Sequence, residues 1–273
     1  ALPPAGFGLA PAVRRRAAWA RALRRAFEDL GPAFVKLGQL ISVRPDEFSE
    51  ELVAEMRSLQ DAVPPLAPGV VRAVIEREFA AVPEDLWATF DDEPLASASI
   101  AQVHRATLAT PYRPVWGKEL PAGAELAVKV VRPGAAASIA SDIAVARGFA
   151  SWVGRTRFVR RFDPVALLDE FAATLERELD LRVEGRFADR FLFDFRDDPR
   201  VVAPRTVWPL TTSQVLTMEF MHGWRLNELE EARAGGVDTF GLAVHGATAF
   251  MRQVFVYGRY HADLHPANLF VTP

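Results

Sequence analysis

The chain has 273 residues, half of them hydrophobic, a formal net charge of −3 and no cysteine. This size and apolar content allow a substantial core in one large domain or two small ones. The slightly acidic charge argues against a general nucleic-acid binder, and the lack of cysteine excludes disulfides, thiol catalysis and thiolate metal sites. The pattern of apolar residues predicts neither a signal peptide nor a membrane span.

Amphipathic patterns predict helices over residues 11–30 and 46–60. They flank the segment FVKLGQLISVRPD, which carries Lys36, one of only three lysines among 32 basic residues. Because arginine is the usual cation in this chain, a retained lysine suggests a role for which a compact ammonium is better suited than a guanidinium. The plainer alternative is a surface lysine on a helix-terminal loop, with Gly38 as the C-cap.

A strand-rich lobe is expected from about residue 91, after a helix over residues 70–79. It includes the segment PLASASIAQVH at 94–104, where Ala and Ser stand in place of the glycine-rich loop that covers nucleotide phosphates in protein kinases. Such a loop still offers N–H groups and hydroxyls to phosphate, although tight packing alone would also explain it. The candidate nucleotide-binding residues are Ala96, Ser97, Ala98 and Ser99.

The next segment, ELAVKVV at 125–131, predicts a strand from its alternation and valine content. It matches the kinase strand whose lysine reaches the α- and β-phosphates of ATP, which makes Lys129 the candidate phosphate ligand. In isolation, the same pattern also describes a surface lysine on an edge strand.

Acidic residues follow in a helix that is predicted to begin at Pro164. If this helix continues, Asp180 and Glu184 share one face, and their repulsion requires a lysine or a metal ion opposite. The alternative is a solvated acidic face on which Glu178 pairs with Arg182.

Further strands are expected over residues 201–209 and 215–220. The segment MEFMHG at 218–223 is similar to a kinase hinge, whose backbone hydrogen-bonds to adenine. Glu219 and Met221 are the candidate nucleotide-binding residues of this hinge.

The C-terminal segment HADLHPANLFV, which begins at His261, places an Asn five residues after an Asp, as in phosphotransferase catalytic loops. Asp263 would accept the proton of the attacking hydroxyl, and Asn268 would hold Mg²⁺ on the phosphates. A buried helix over residues 239–257 is expected to lead into this loop. The alternatives are a solvated loop and a weak zinc site formed by His261, Asp263 and His265.

Protein kinases also place an Asp-Phe-Gly after the catalytic loop, and its Asp binds the principal metal ion. Only Thr272 and Pro273 follow the segment, so this second metal ligand is missing from the chain. We expect the chain to be a fragment of a longer protein, which leaves its activity in isolation open.

Together these segments resemble the UbiB/aarF-type atypical kinases, the family of ubiquinone-biosynthesis accessory proteins. The family's Lys-x-Gly-Gln signature matches residues 36–39, and its Glu-x-Asp motif matches residues 178–180. The Ala/Ser loop, Lys129 and the catalytic loop follow in the family's order and spacing.

The resemblance implies an α+β, atypical protein-kinase-like fold. Residues 1–90 would form an N-terminal helical extension, residues 91–220 the strand-rich N-lobe, and residues 221–273 the start of a helical C-lobe.

In this family the signature lysine enters the nucleotide site and pairs with the Glu-x-Asp motif. By matching positions, this implies that Lys36 pairs with Glu178 and that Lys129 pairs with Glu184. The implied gating residues are Lys36, Gln39, Glu178 and Asp180.

The resemblance further implies an enzyme that binds ATP or ADP with Mg²⁺ and supports isoprenoid-quinone or related lipid metabolism at a membrane surface. The expected partners are a membrane lipid or quinone precursor and quinone-biosynthesis proteins. The expected location is the cytoplasm, peripheral to the membrane, with any anchor beyond Pro273. Two alternatives stay open: a small-molecule phosphotransferase of the aminoglycoside- or choline-kinase type, and a non-catalytic, nucleotide-sensing lipid-handling module. The first does not explain residues 36–39 or the Ala/Ser loop.

Overall fold

The computed structural model of the chain describes residues 11–42, 46, 48–59, 64–153, 164–259 and 269–272. The helices in chain order are α1 (Pro11–Leu30), α2 (Pro32–Ser42), α3 (Glu50–Arg57), α4 (Pro68–Phe79), α5 (Pro83–Leu86), α6 (Ala135–Val153), α7 (Pro164–Glu178), α8 (Leu181–Asp194), α9 (Leu229–Ala234) and α10 (Thr239–Phe255). The strands are β1 (Thr89–Ser97), β2 (Ala101–Thr107), β3 (Glu125–Val131), β4 (Val215–Glu219), β5 (Trp224–Arg225) and β6 (Phe270–Val271).

The first three helices pack around an apolar cluster that includes Phe27, Met56 and Leu59. The Lys-x-Gly-Gln motif lies inside α2 and not on a loop between helices. Gly38 faces the cluster, and a Cβ at this position would overlap Leu59 Cδ1. The interpretation of Gly38 as a C-cap is therefore wrong; its small size lets α2 approach α3.

Strands β1 to β4 form one antiparallel sheet in sequence order. The alternation that predicted β3 has a direct structural cause. Leu126, Val128 and Val130 are buried in the main core, which α4 and Trp87 cover. Since successive side chains of a strand point to opposite faces, Lys129 lies on the other face. The sheet and the helices before it confirm the predicted α+β architecture with a helical extension.

Two other expectations need correction. Residues 201–209 do not form a strand: only Thr206 makes an isolated bridge, and Trp208–Leu210 is a 3₁₀ turn. Pro204 and Pro209 lack the N–H that a strand ladder requires, which explains the interruption.

The helix expected over residues 239–257 is present as α10, but it is not buried. Phe240 and Phe255 are 78% and 75% exposed, and only Ala249 and Gln253 are buried. Apolar content predicted the helix correctly, but few of the elements that the structure describes pack against it. Across the described residues, no helix has both the length and the apolar character needed to cross a bilayer.

The contact between α8 and the sheet depends on Gly185. A Cβ built on Gly185 would lie 3.1 Å from Thr206 Cγ2, 3.2 Å from Trp208 and 3.3 Å from Leu216 Cδ1. These distances are shorter than most real Cβ contacts, so any larger residue at this position would require its neighbours to move by a few tenths of an ångström.

We predict that Gly185→Leu lowers the free energy of unfolding by about 1–3 kcal/mol, because the added side chain has no room. Gly246→Leu in α10 is the matched control, since a Cβ there meets nothing within 4 Å. It should be neutral or stabilising by up to about 1 kcal/mol, because leucine favours helix over glycine. Urea unfolding measures both variants, and equal stabilities would contradict the close contact.

Candidate functional site

The centre of the candidate site is an ion pair between the sheet and α8. Lys129 Nζ lies 2.7 Å from Glu184 Oε2, as the family resemblance implied. The two side chains are 30% and 46% exposed, so the pair is within reach of a ligand. The start of α8 is held against the sheet because the Leu181 N–H donates to Ser213 O at 2.9 Å. Glu184 follows one turn later and faces the lysine.

A second ion pair joins the helical extension to the end of α7. Lys36 Nζ lies 3.4 Å from Glu178 Oε1, with side chains 24% and 36% exposed. The structure thus brings together both lysine–glutamate pairs that the resemblance implied. Gln39 lies on the same helix, one turn after Lys36. The gating role of these residues stays a prediction.

The helix is interrupted between Glu178 and Glu184, whereas the sequence predicted one continuous helix. Helix α7 ends at Glu178, and Asp180 is the N-cap of α8. Its carboxylate accepts hydrogen bonds from Arg182 Nε at 2.8 Å and Nη2 at 2.9 Å. This arginine lowers the pKa of Asp180. Asp180 therefore has its own cation, and the alternative pair between Glu178 and Arg182 is wrong.

The position of α2 depends on Asp142 of α6, a residue that the sequence interpretation did not select. Asp142 Oδ2 accepts a hydrogen bond from the Ala33 N–H at 3.3 Å and thereby caps α2 from another helix. Burial raises the pKa of Asp142. Its carboxylate also lies against Gly31, whose φ of +122° favours glycine. The available signal was that α2 starts without an acidic residue in its first turn.

The Ala/Ser loop is a tight hairpin between β1 and β2. Ala96 is the last-but-one residue of β1 and pairs with Val103, and Ser97 ends the strand. The Ala98 N–H donates to Ala101 O at 2.9 Å, which closes the turn that contains Ser99. Lys129 is paired with Val103 of β2, so the loop and the lysine lie on neighbouring strands.

The segment similar to a hinge follows β4 directly. The Glu219 carboxylate forms an ion pair with Arg205, and the Glu219 N–H donates to Arg205 O at 2.9 Å. The Phe220 N–H donates to Glu125 O at 3.0 Å. Among the residues that the structure describes, the N–H of Met221 has no acceptor. Among the described residues, the Met221 N–H is therefore available to a nucleotide base, whereas the Glu219 N–H is occupied.

The catalytic-loop residues Asp263 and Asn268 lie outside the described residues, as do the two histidines of the zinc alternative. The elements on either side of the loop are described. Strand β6 pairs with β5, and the Leu226 N–H donates to Leu269 O at 3.1 Å. Gly223 lies so close to the backbone of Val271 that a Cβ would overlap its carbonyl oxygen. The end of the loop is thus held against the segment that follows the hinge.

The described ranges contain no group of three or more histidine, aspartate or glutamate side chains placed to hold an ion. The predicted Mg²⁺ ligand Asn268 lies outside those ranges.

Comparison with known proteins identifies the family. A family model for the ABC1 atypical kinase-like domain matches residues 58–273. Two curated relatives, both named probable protein kinase UbiB, are 39% identical to this chain. The relative from Cellvibrio japonicus matches over 250 residues and the relative from Azotobacter vinelandii over 262. These matches cover 91% and 95% of this chain but 43% and 47% of the relatives, so the chain spans less than half their length.

A solved structure also matches over most of the chain. It is the Rv3197–erythromycin complex from Mycobacterium tuberculosis, which is 26% identical and superposes with a TM-score of 0.56. The match covers 95% of this chain and 64% of that one. The predicted kinase-like fold and the family resemblance are both confirmed, and the chain belongs to the ABC1 atypical kinase-like family.

Proposed function

We propose that this chain carries the nucleotide site of an atypical kinase or ATPase that binds ATP or ADP with Mg²⁺. The observation that carries the proposal is the 2.7 Å ion pair between Lys129 and Glu184. Protein kinases use a strand lysine held by a helix glutamate to bind nucleotide phosphates. The pair lies next to a hairpin of small residues, and the Met221 N–H after β4 has no acceptor in the part of the chain that the structure describes. The family is kinase-like, which itself implies nucleotide binding.

In this mechanism each residue has a separate role. Lys129 binds the phosphates and Glu184 orients Lys129, because an ammonium held at one point has less freedom to lose on binding. Ala96, Ser97, Ala98 and Ser99 are the proposed residues of the phosphate-covering loop. Asp263 accepts the proton of the attacking hydroxyl or water.

The proposed ligand type suits Mg²⁺, because this ion prefers oxygen ligands. It takes only one or two of them from the protein when phosphates supply the others. Asn268 would supply an amide oxygen. Bound Mg²⁺ would neutralise the charge that develops on the transferred phosphoryl group.

We extend the proposal to a role in isoprenoid-quinone or related lipid metabolism at a membrane surface. The support is the name that the curated relatives carry, probable protein kinase UbiB. The proposed partners are a membrane lipid or quinone precursor and proteins of quinone biosynthesis.

We also propose that α2 gates the nucleotide site. Lys36 and Gln39 lie on α2, and the ion pair with Glu178 holds this helix against α7. Asp180, two residues further on, fixes the start of α8, which carries Glu184. Movement of α2 would therefore be transmitted to the helix that orients the phosphate lysine.

We predict that Lys129→Ala in the full-length protein weakens Mg-ATP binding by roughly tenfold or more, because it removes a charge-assisted contact with phosphate. Lys118→Ala is the matched control, since Lys118 is exposed and lies outside the site. Titration of the thermal unfolding temperature with Mg-ATP measures both. Equal ATP affinity in Lys129→Ala and wild type would refute the proposed function.

Asp263→Asn should reduce phosphate release by about 10²–10⁴-fold, because an amide cannot accept the proton. Nucleotide affinity and the unfolding temperature should remain at wild-type values. Retained turnover would remove Asp263 from the mechanism. Nucleotide binding without turnover in the wild type would favour the non-catalytic module. Transfer to added aminoglycoside or choline would favour the small-molecule phosphotransferase.

We predict that Lys36→Ala accelerates nucleotide exchange by roughly fivefold or more, a magnitude typical of coupling between sites. Glu178→Gln should have the same effect, and the double variant should be no faster than either single one. The control is the exposed ion pair between Arg147 of α6 and Asp169 of α7, which involves α7 but not α2. Stopped-flow exchange of a fluorescent nucleotide measures all variants. Wild-type exchange rates in both single variants would show that Lys36 is an ordinary surface residue without a gating role.

A further inference from the structure

Arg132, the residue that follows β3, holds the Ala/Ser loop with both its backbone and its side chain. Its N–H donates to Ile100 O at 2.8 Å, and its Nε donates to Ala98 O at 2.8 Å. Its Nη2 donates to Ser97 Oγ at 2.6 Å and to Pro64 O at 2.8 Å. One arginine thus joins the loop, the end of β3 and the segment before α4.

Within the described part of the chain, no carboxylate matches the charge of this arginine. The side-chain acceptors that it has there are all neutral oxygens, and no aspartate or glutamate there forms an ion pair with it. Burial without a counter-charge lowers the pKa of Arg132, although an arginine stays protonated. Arg72, by contrast, pairs with both Glu84 and Asp92. A cation held without a carboxylate beside a loop of this kind is suited to an anionic ligand.

The hydrogen bond to Ala98 also determines which way the next amide points. In a trans peptide, the C=O of one residue and the N–H of the next point in opposite directions. Because the Ala98 carbonyl points to Arg132, the Ser99 N–H points away from it. No acceptor among the described residues receives this N–H. The loop therefore presents a free backbone donor, which is the group that phosphate-binding loops use.

The Ser97 hydroxyl is oriented in the same way. Its oxygen accepts from Arg132 Nη2 at 2.6 Å and from Gln102 Nε2 at 3.2 Å. Since a hydroxyl oxygen has two lone pairs, both acceptor positions are occupied. Gln102 is fully buried, so its side chain is held in place. With the Gln102 amide in this orientation, the Ser97 O–H is left to donate to a ligand.

We propose that Arg132 is a positioning residue that sets the nucleotide preference of the site. It fixes the hairpin so that the Ser99 N–H and the Ser97 O–H both face the terminal phosphates as donors. Its hydrogen bond to Pro64 O also sets the position of the loop relative to the segment before α4. The inference rests on the proposed function, because it assumes that nucleotide phosphates lie under this loop.

Nucleotide affinity in the full-length protein tests the role of Arg132. ATP and ADP are titrated separately against wild type, Arg132→Met, Arg132→Lys and the control Arg113→Met, whose arginine is exposed on a loop remote from the hairpin. Arg132→Met should lower ATP affinity by roughly fivefold or more and ADP affinity less, because ATP has one more phosphate to bind. Arg132→Lys should resemble Arg132→Met, since lysine keeps the charge but cannot reproduce the planar fork. Arg113→Met should match wild type.

Amide hydrogen exchange of the hairpin provides a reading that does not depend on nucleotide. Arg132→Met and Arg132→Lys should accelerate exchange at residues 98–101, with the other strands unchanged. An unchanged ratio of ATP to ADP affinity in Arg132→Met overturns the inference, and so does full recovery by Arg132→Lys, because charge alone would then be sufficient. A wild-type protein that binds neither nucleotide refutes the proposed function itself. Nucleotide binding that Lys129→Ala abolishes and Arg132→Met leaves unchanged refutes only the role of Arg132.

Discussion

The break between α7 and α8 is the constraint on which the candidate site depends. It lets Glu178 end one helix and face Lys36, while Glu184 lies in the next helix and faces Lys129. Leu181 anchors the break, because its side chain is buried against the sheet and its N–H bonds to the loop before β4. This apolar and main-chain anchor acts together with the Asp180 cap to fix the start of α8. Glu184 is therefore not needed to hold α8 in place.

The fold does not require either lysine–glutamate pair. Both pairs are partly exposed, and such pairs contribute about 0–1 kcal/mol to the free energy of unfolding. Stability comes from separate apolar clusters, the largest of which joins α4 and Trp87 to the buried face of the sheet. An ammonium has three donors, and the Lys129 side chain is 30% exposed, so a phosphate in the proposed site could bind the lysine while Glu184 still holds it.

The local pattern of residue types predicts some helices and strands correctly but does not predict where others begin and end. The strand that carries Lys129 follows from its own alternation, and the start of α7 follows from Pro164. The break before α8 was missed because Asp180 forms its cap with Arg182, which residue type alone does not indicate. Asp142 was missed because it caps α2 across 109 residues of sequence. Contacts of this kind depend on packing between distant segments, which spacing along the chain does not reveal. The roles of Asp263 and Asn268 remain predictions from sequence.

Several polar contacts join the N-terminal extension to the strand-rich lobe, and two of them concern α2 and the Ala/Ser loop. Asp142 of α6 holds the first turn of α2, and Arg132 holds the carbonyl oxygen of Pro64. Because Arg132 also holds the Ala/Ser loop, the segment before α4 cannot move without disturbing that loop. Lys36 and the loop are therefore parts of one assembly. If the proposed gating by α2 is coupled to the proposed role of the loop, the coupling is reciprocal, and a nucleotide that displaces the loop would change the stability of the α2 contact by the same free energy.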